Sequence, residues 1–133
     1  MNTIYAREDF LAADEYIDVV RKSGLNRPVD DRSRVERLLA HSNLFVTARQ
    51  DGRLVGFARS LTDFCFSCYL SDLAVDKACQ GQGIGKRLIE ETRTAAGGAL
   101  TTTLLLSAPT AMSFYQGIKM PHADNCFLYR RQQ

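Results

Sequence analysis

The fold class that this 133-residue sequence predicts is α/β, a single mixed sheet flanked by helices. Three observations predict it. A short β-rich start is followed by two runs of helical spacing. Two β-rich runs then meet across a glycine-containing turn. Finally, a long apolar run passes through a polar turn and three alternating glycines directly into an amphipathic helix. Strand and helix patterns interleaved in this way point to one sheet covered by helices.

Taken in order, residues 3–6 form a short first strand. Asp9 reads as the N-cap of a helix in which Phe10, Ala13, Ile17 and Val20 recur at helical spacing, closed by Gly24. Asn26-Arg27-Pro28 breaks the chain. A second helix starts at about Ser33, with Ser33 and Glu36 spaced as a capping box, and buries Val35, Leu38 and Leu39. The runs 44–48 and 54–58 are joined across Gln50-Asp51-Gly52-Arg53 as a hairpin. Residues 65–75 make a long apolar strand. In the helix after the glycines, Ile84, Leu88 and Ala95 fall on one side with Ile89, Thr92 and Ala96 beside them, and Gly97-Gly98 ends it. Residues 100–106 read as an interior strand, being β-rich and nearly apolar throughout. Pro109 introduces a short helix to about Gln116, and a last strand covers 126–130.

Composition narrows the function classes. The length suits one domain over 1–133. Seventeen basic against fifteen acidic residues leave +2, too little to argue for a nucleic-acid partner. No apolar run approaches the ~20 residues that cross a bilayer, so no membrane partner is expected. The first seven residues lack the basic-then-apolar layout of a signal peptide, which makes a cytoplasmic protein the expectation. Cys65 and Cys68 form one C-x-x-C, but an extended run sends them to opposite faces. No second pair or histidine pair completes a metal site, so no metal is expected and the four cysteines read as structural thiols. His41 and His122 read as solvent-exposed.

The chemistry concentrates in the stretch from Gln80 to Lys86. A helix start carries unpaired N–H groups and a partial positive charge, and glycines let that backbone approach an anion closely. Lys86 and Arg87 add formal charge there, so the stretch reads as a phosphate cradle. It is not a P-loop: Gln80 stands where the first glycine belongs, and Arg87 where Ser or Thr follows the lysine. Nor is it a dinucleotide fingerprint, since Lys86 replaces its last small residue.

Gln80-Gly81-Gln82-Gly83-Ile84-Gly85, preceded by Leu73-Ala74-Val75-Asp76 and followed by Lys86-Arg87-Leu88-Ile89, resembles the acetyl-CoA signature of the GNAT superfamily of N-acetyltransferases, Gln/Arg-x-x-Gly-x-Gly/Ala. The element order agrees with that fold. The resemblance implies acetyl-CoA as co-substrate and a small-molecule amine as acceptor, attacked directly in a ternary complex. It implies that the backbone of Leu73, Ala74 and Val75 pairs with the pantetheine arm. The amides from Gln80 or Gly81 through Gln82, Gly83, Ile84 and Gly85 to Lys86 then hold the pyrophosphate. Ala111 and Ser113-Phe114-Tyr115 resemble the family's Ala-x-x-Phe-Tyr stretch, whose tyrosine protonates the departing thiolate. Ser107 falls where many members place an asparagine that contacts the cofactor. Lys119 stands where the family has glycine, which puts the turn after Tyr115 in question.

For the proton acceptor, Asp72 interrupts an apolar run, where desolvation raises a carboxyl pKa toward neutrality. The alternatives are a structural carboxylate paired with Arg59, then Asp63, or a water chain. A CoA-binding module without turnover, or acetylation of a protein or aminoacyl-tRNA amine, is the competing function. A homodimer is compatible with the resemblance.

Overall fold

The computed structural model describes residues 2–132; Met1 and Gln133 lie outside the described residues. Its sheet has five strands whose spatial order is their chain order: β1 (Ile4–Glu8), β2 (Leu44–Gln50), β3 (Arg53–Thr62), β4 (Ser67–Val75) and β5 (Thr102–Leu104). Helices α1 (Ala13–Ser23) and α2 (Arg32–Ala40) lie between β1 and β2 in the chain, α3 (Ile84–Ala96) between β4 and β5, and α4 (Met112–Gly117) after β5. Every strand pair is antiparallel except β4 with β5. The mixed sheet flanked by helices is the predicted fold. Among the described residues no helix is long and apolar enough to cross a membrane.

The β2–β3 turn shows why the sequence made its hairpin legible. Asp51 and Gly52 have φ of 51° and 78°, both left-handed, as a two-residue turn matched to strand twist requires. Strand alternation then sorts the core into two layers. Leu44, Val46, Val55 and Ala58 face Ile84, Leu88 and Ala96 of α3. Phe45, Leu54 and Phe57 face Tyr16, Val19 and Val20 of α1 and Val35 and Leu39 of α2. Arg49 ties the β1 edge to α1, with its guanidinium 2.9 Å from Glu8 and 2.6 Å from Glu15.

One irregularity in β4 matters for function. Arg59 of β3 pairs with Asp72 and the next residue, Ser60, with Leu70, so Ser71 is an extra residue in β4. A bulge of this kind reverses the side-chain alternation of everything beyond it. Cys68 and Leu70 therefore belong to the α3 layer, whereas after the bulge Ala74 belongs to the α1/α2 layer and Leu73 and Val75 pack on the α3 side.

Several expected boundaries are corrected. Helix α1 begins at Ala13 behind an extended Ala12 that offers no side-chain cap; Asp9 does not cap it, and Phe10 is 74 % exposed. Leu11, buried, is the residue that anchors this approach. Helix α2 is capped by Asp31, which accepts from the Arg34 N–H at 3.1 Å, so Ser33 sits inside the helix rather than before it. Residues 65 and 66 belong to a turn ahead of β4, leaving Cys65 exposed and Cys68 buried, both as free thiols. Strand β5 keeps only three residues and is an edge, and residues 126–130 form no strand. Phe127 and Tyr129 are fully exposed. A β-rich run becomes a strand only where it gains a buried face, and this one has none.

Candidate active site

Asp76 ends β4 and starts the cradle. Its carboxylate accepts from the Ala78 N–H at 2.9 Å and is held below the usual carboxylate range chiefly by that bond, opening a 3-10 turn over Lys77–Cys79. The Gln80 amide donates to the Val75 carbonyl at 3.0 Å, and Gln82 accepts from Gln50 at 3.2 Å. The side chains of these two motif residues thus fix the turn. Gly81 and Gly83 have φ of 84° and 79°, yet a Cβ at either would meet nothing within 4 Å. Backbone conformation, not lack of room, requires glycine there. Gly85 is the opposite case, since a Cβ would lie 2.9 Å from the tip of the Phe114 ring.

The first N–H of α3 with an acceptor is that of Arg87, bonded to the Gly83 carbonyl at 3.1 Å. Among the described residues the N–H groups of 81–86 have no protein acceptor. Six unpaired donors therefore lie at or just before the positive end of a thirteen-residue helix. Ile84 contributes only its amide, because its side chain is buried in the α3 layer. Lys86 lines a cavity of about 370 Å³ with Arg93 and Lys119. Arg87 does not join the cradle: it pairs with Glu91 at 2.8 Å and lies 4.7 Å above the Tyr5 ring.

Beside the cradle the sheet opens. β4 and β5 are paired only at Ser67–Thr102, Cys68–Thr103 and Tyr69–Leu104, while β4 runs on to Val75. The Asp76 N–H bonds to Val55 of β3 at 2.8 Å. Peptide groups alternate along a strand, so Ala74 also turns toward β3, and Leu73 and Val75 turn toward the gap. Of the three residues assigned to an added strand, Leu73 and Val75 offer peptide groups to it, and Ala74 does not. The Val75 carbonyl is already taken by Gln80, which leaves its N–H.

Asp72 is 1 % exposed and faces the α1/α2 layer because of the bulge. One oxygen accepts from Arg59 Nε and from the Tyr16 hydroxyl, both at 2.7 Å, and the other from Arg27 at 2.6–2.8 Å. Burial by itself would raise its pKa, but the Arg59 and Arg27 guanidiniums outweigh it and hold the carboxyl below the usual range. This corrects the expectation of a raised value: the environment is that of a paired structural carboxylate. Arg59 also donates to Ser42 at 2.9 Å and Ser71 at 2.8 Å. Tyr16, buried and bonded to a carboxylate, has its pKa raised, first by desolvation and then by Asp72. Asp63 accepts from the N–H groups of Cys65, Phe66 and Ser67 and is lowered by those bonds, as a loop-organising group. The sequence reading missed Tyr16 and Arg27. Tyr16 carried a signal, since Tyr16, Val19 and Val20 form a helical stripe one residue off the one chosen; Arg27, in a loop, carried none.

Tyr115 is half-buried and packs with Leu73, Val75 and Leu105 against the α3 layer. Burial raises its pKa, so it is a protonated phenol at neutral pH, and its hydroxyl has no partner among the described residues. Ser107 bonds locally, donating to the Ala108 carbonyl at 2.8 Å. Lys119 answers the question raised by the missing glycine. It adopts φ 59°, and the Lys119 and Met120 N–H groups bond to Gln116 and Tyr115 carbonyls at 3.0 and 3.1 Å. This is the closure through a left-handed residue that glycine usually provides, so the turn keeps its form with a lysine in it. Lys119→Gly is expected to raise stability by about 0.5–1 kcal/mol, read as an upward shift of the urea midpoint with unchanged slope.

A glycine-rich helix mouth with unpaired amides, beside a sheet opened at its parallel pair, is the architecture of the acyl-CoA N-acyltransferase class of fold. The chain belongs to the acetyltransferase (GNAT) domain family, whose model matches residues 17–118. It is 33 % identical over 91 residues to an uncharacterized N-acetyltransferase, ycf52, of Porphyra purpurea, covering 62 % of this chain and 51 % of that one. It superposes on a GNAT family acetyltransferase from Streptococcus pneumoniae with a TM-score of 0.75 at 18 % identity, covering 99 % of this chain and all of the other. An aminoglycoside N-acetyltransferase in complex with CoA has a TM-score of 0.69 at 16 % identity over 99 % of this chain and 96 % of its own. The chain spans about half the length of the first curated relatives it matches.

Proposed function

We propose that this chain is an acetyl-CoA-dependent N-acetyltransferase that acts on the primary amine of a small molecule, by direct attack with both substrates bound together. The observation that carries the reading is the adjacency of six unpaired amides at the mouth of α3 to a β4 edge whose Leu73 and Val75 peptide groups lack a strand partner. A cradle in which no side-chain atom would obstruct Gly81 or Gly83 fits a diphosphate, and an open strand edge fits an amide-bearing arm. Bound acetyl-CoA supplies the activated acetyl thioester.

The chain's own residues do the rest. The amides of residues 81–86 bind the diphosphate, with Lys86 near it, while Leu73 and Val75 orient the arm. An N–H in the gap polarises the acetyl carbonyl where negative charge develops. Tyr115, kept protonated, gives its phenolic proton to the departing sulfur. Asp72, ionised and held by three donors, positions Arg27 and Arg59 and does not take the amine's proton, which leaves to water. Most of the acceleration comes from alignment of the two reactants.

Thiol release on mixing the protein with acetyl-CoA and a panel of amines tests this directly; silence across the panel with CoA still bound would reduce the chain to a binding module. Tyr115→Phe is expected to lower kcat about a hundredfold while leaving the dissociation constant of CoA and the melting temperature nearly unchanged. Undiminished turnover would remove Tyr115 from the reaction.

A further inference from the structure

A cavity of about 510 Å³ lies beside α2, and its walls are arginine-rich. Arg34 and Arg37 on the exposed face of α2, with His41 just past its end, recur at helical spacing and all line it. Arg27 and Arg59 line it too. Those same two guanidiniums grip Asp72 in β4, so the cavity abuts the strand one residue ahead of Leu73.

Charge within the cavity is not balanced. Among the described residues lining it, Arg27, Arg34, Arg37, Arg59 and Arg131 outnumber the carboxylate of Asp31, and Asp72, buried behind, is bonded to Arg27 and Arg59. Among the described residues no carboxylate lies within ion-pair distance of Arg34 or Arg37, although neighbouring Arg32 is paired to both Asp14 and Glu36. Arg34 also sits in the first turn of α2, a positive helix end whose acidic partner, the N-cap Asp31, accepts from the Arg34 N–H and forms no ion pair with its guanidinium. Arg34 and Arg37 thus have no ion-pair partner among the described residues, which leaves both guanidiniums available to an anionic ligand.

We infer that the acceptor is a primary amine that also carries a carboxylate or phosphate, held by Arg34 and Arg37 in the α2 cavity with its amine directed toward the β4–β5 gap. The inference rests on the proposed amine acetylation and specifies its substrate. Polycationic amines, which such a cavity repels, are excluded as good acceptors. Guanidinium pairs suit both carboxylate and phosphate, so the two anions are separated by experiment.

The test uses L-glutamate and phosphoethanolamine as anionic amines, with ethanolamine and spermidine as neutral-headed and cationic controls, at saturating acetyl-CoA. At least one anionic amine is expected to exceed both controls tenfold or more in kcat/KM; whichever of the two leads identifies the anion. Calorimetric binding of the same two compounds in the presence of CoA gives a readout that does not depend on turnover. R34E/R37E is expected to weaken that binding at least tenfold, and R34K/R37K to keep it within about threefold. Both side chains are exposed, so melting should shift little in either variant. Spermidine or ethanolamine matching the anionic amines overturns the inference, as does anion binding that is absent or unchanged in R34E/R37E. If no amine releases thiol but binding still depends on Arg34 and Arg37, the anion cavity stands and the transferase reading falls.

Discussion

Asp72→Ala is expected to destabilise the fold by about 3–5 kcal/mol, a large part of the ~5–15 kcal/mol available to a domain. The loss comes less from the missing contacts than from what remains, a buried Arg59 and a half-buried Arg27 facing each other without a counter-charge. Asp72→Asn, which keeps the volume and one acceptor, is expected to cost less. Because the folded-state pKa of Asp72 lies below its unfolded value of roughly 3.9, its contribution is whole above that value. It is lost as pH falls through the folded-state pKa. Urea unfolding between pH 7 and pH 3 should therefore show a shallower acid decline in Asp72→Asn than in the wild type. The same variant separates positioning from proton transfer. The acidic limb of its rate profile should stay where it is, and disappearance of that limb would restore Asp72 as the base.

Gly83→Glu is expected to weaken CoA binding at least a hundredfold, about 2.7 kcal/mol or more. Two effects act together. A side chain at φ 79° strains the backbone by about 1–2 kcal/mol, which tilts the amides that precede α3. The new carboxylate also stands at the anion's position, where like charge costs several kcal/mol. Calorimetry with CoA reads the affinity and urea unfolding the strain. Gly85→Ala is a useful comparison, since its left-handed requirement is nil and its Cβ presses only on the tip of Phe114. CoA affinity within a few-fold of wild type in Gly83→Glu would remove the α3 mouth as the diphosphate site.

The parts legible in sequence were those in which local chemistry and tertiary structure agree. Asp51-Gly52 specifies its turn without help, and the cradle announces itself because three glycines, a polar turn and an amphipathic helix are contiguous. The parts that were not legible depend on partners distant in the chain. Asp72 looked like a poised base because its sequence neighbours are apolar; its pKa is set by Arg27 and Arg59, 45 and 13 residues away. Residues 126–130 look like a strand because they are β-rich, yet pairing is decided by a neighbour that they do not meet. Lys119 shows the converse, for a turn that the residue type argues against forms nonetheless, closed by two backbone bonds.

The extra residue at Ser71 makes β4 two half-strands joined out of phase. Its first half shows the α3 layer the side chains at even positions, its second half those at odd positions. Deleting Ser71 would make Leu70 and Asp72 ordinary neighbours on opposite faces, still opposite Ser60 and Arg59, so neither half of the strand would turn over. Deleting a residue on either side of Ser71 would put one half out of phase with its layer, so position 71 is where this strand can shorten by one, losing the Ser71 hydroxyl that accepts from Arg59 and the Ser71 carbonyl that accepts from Arg27.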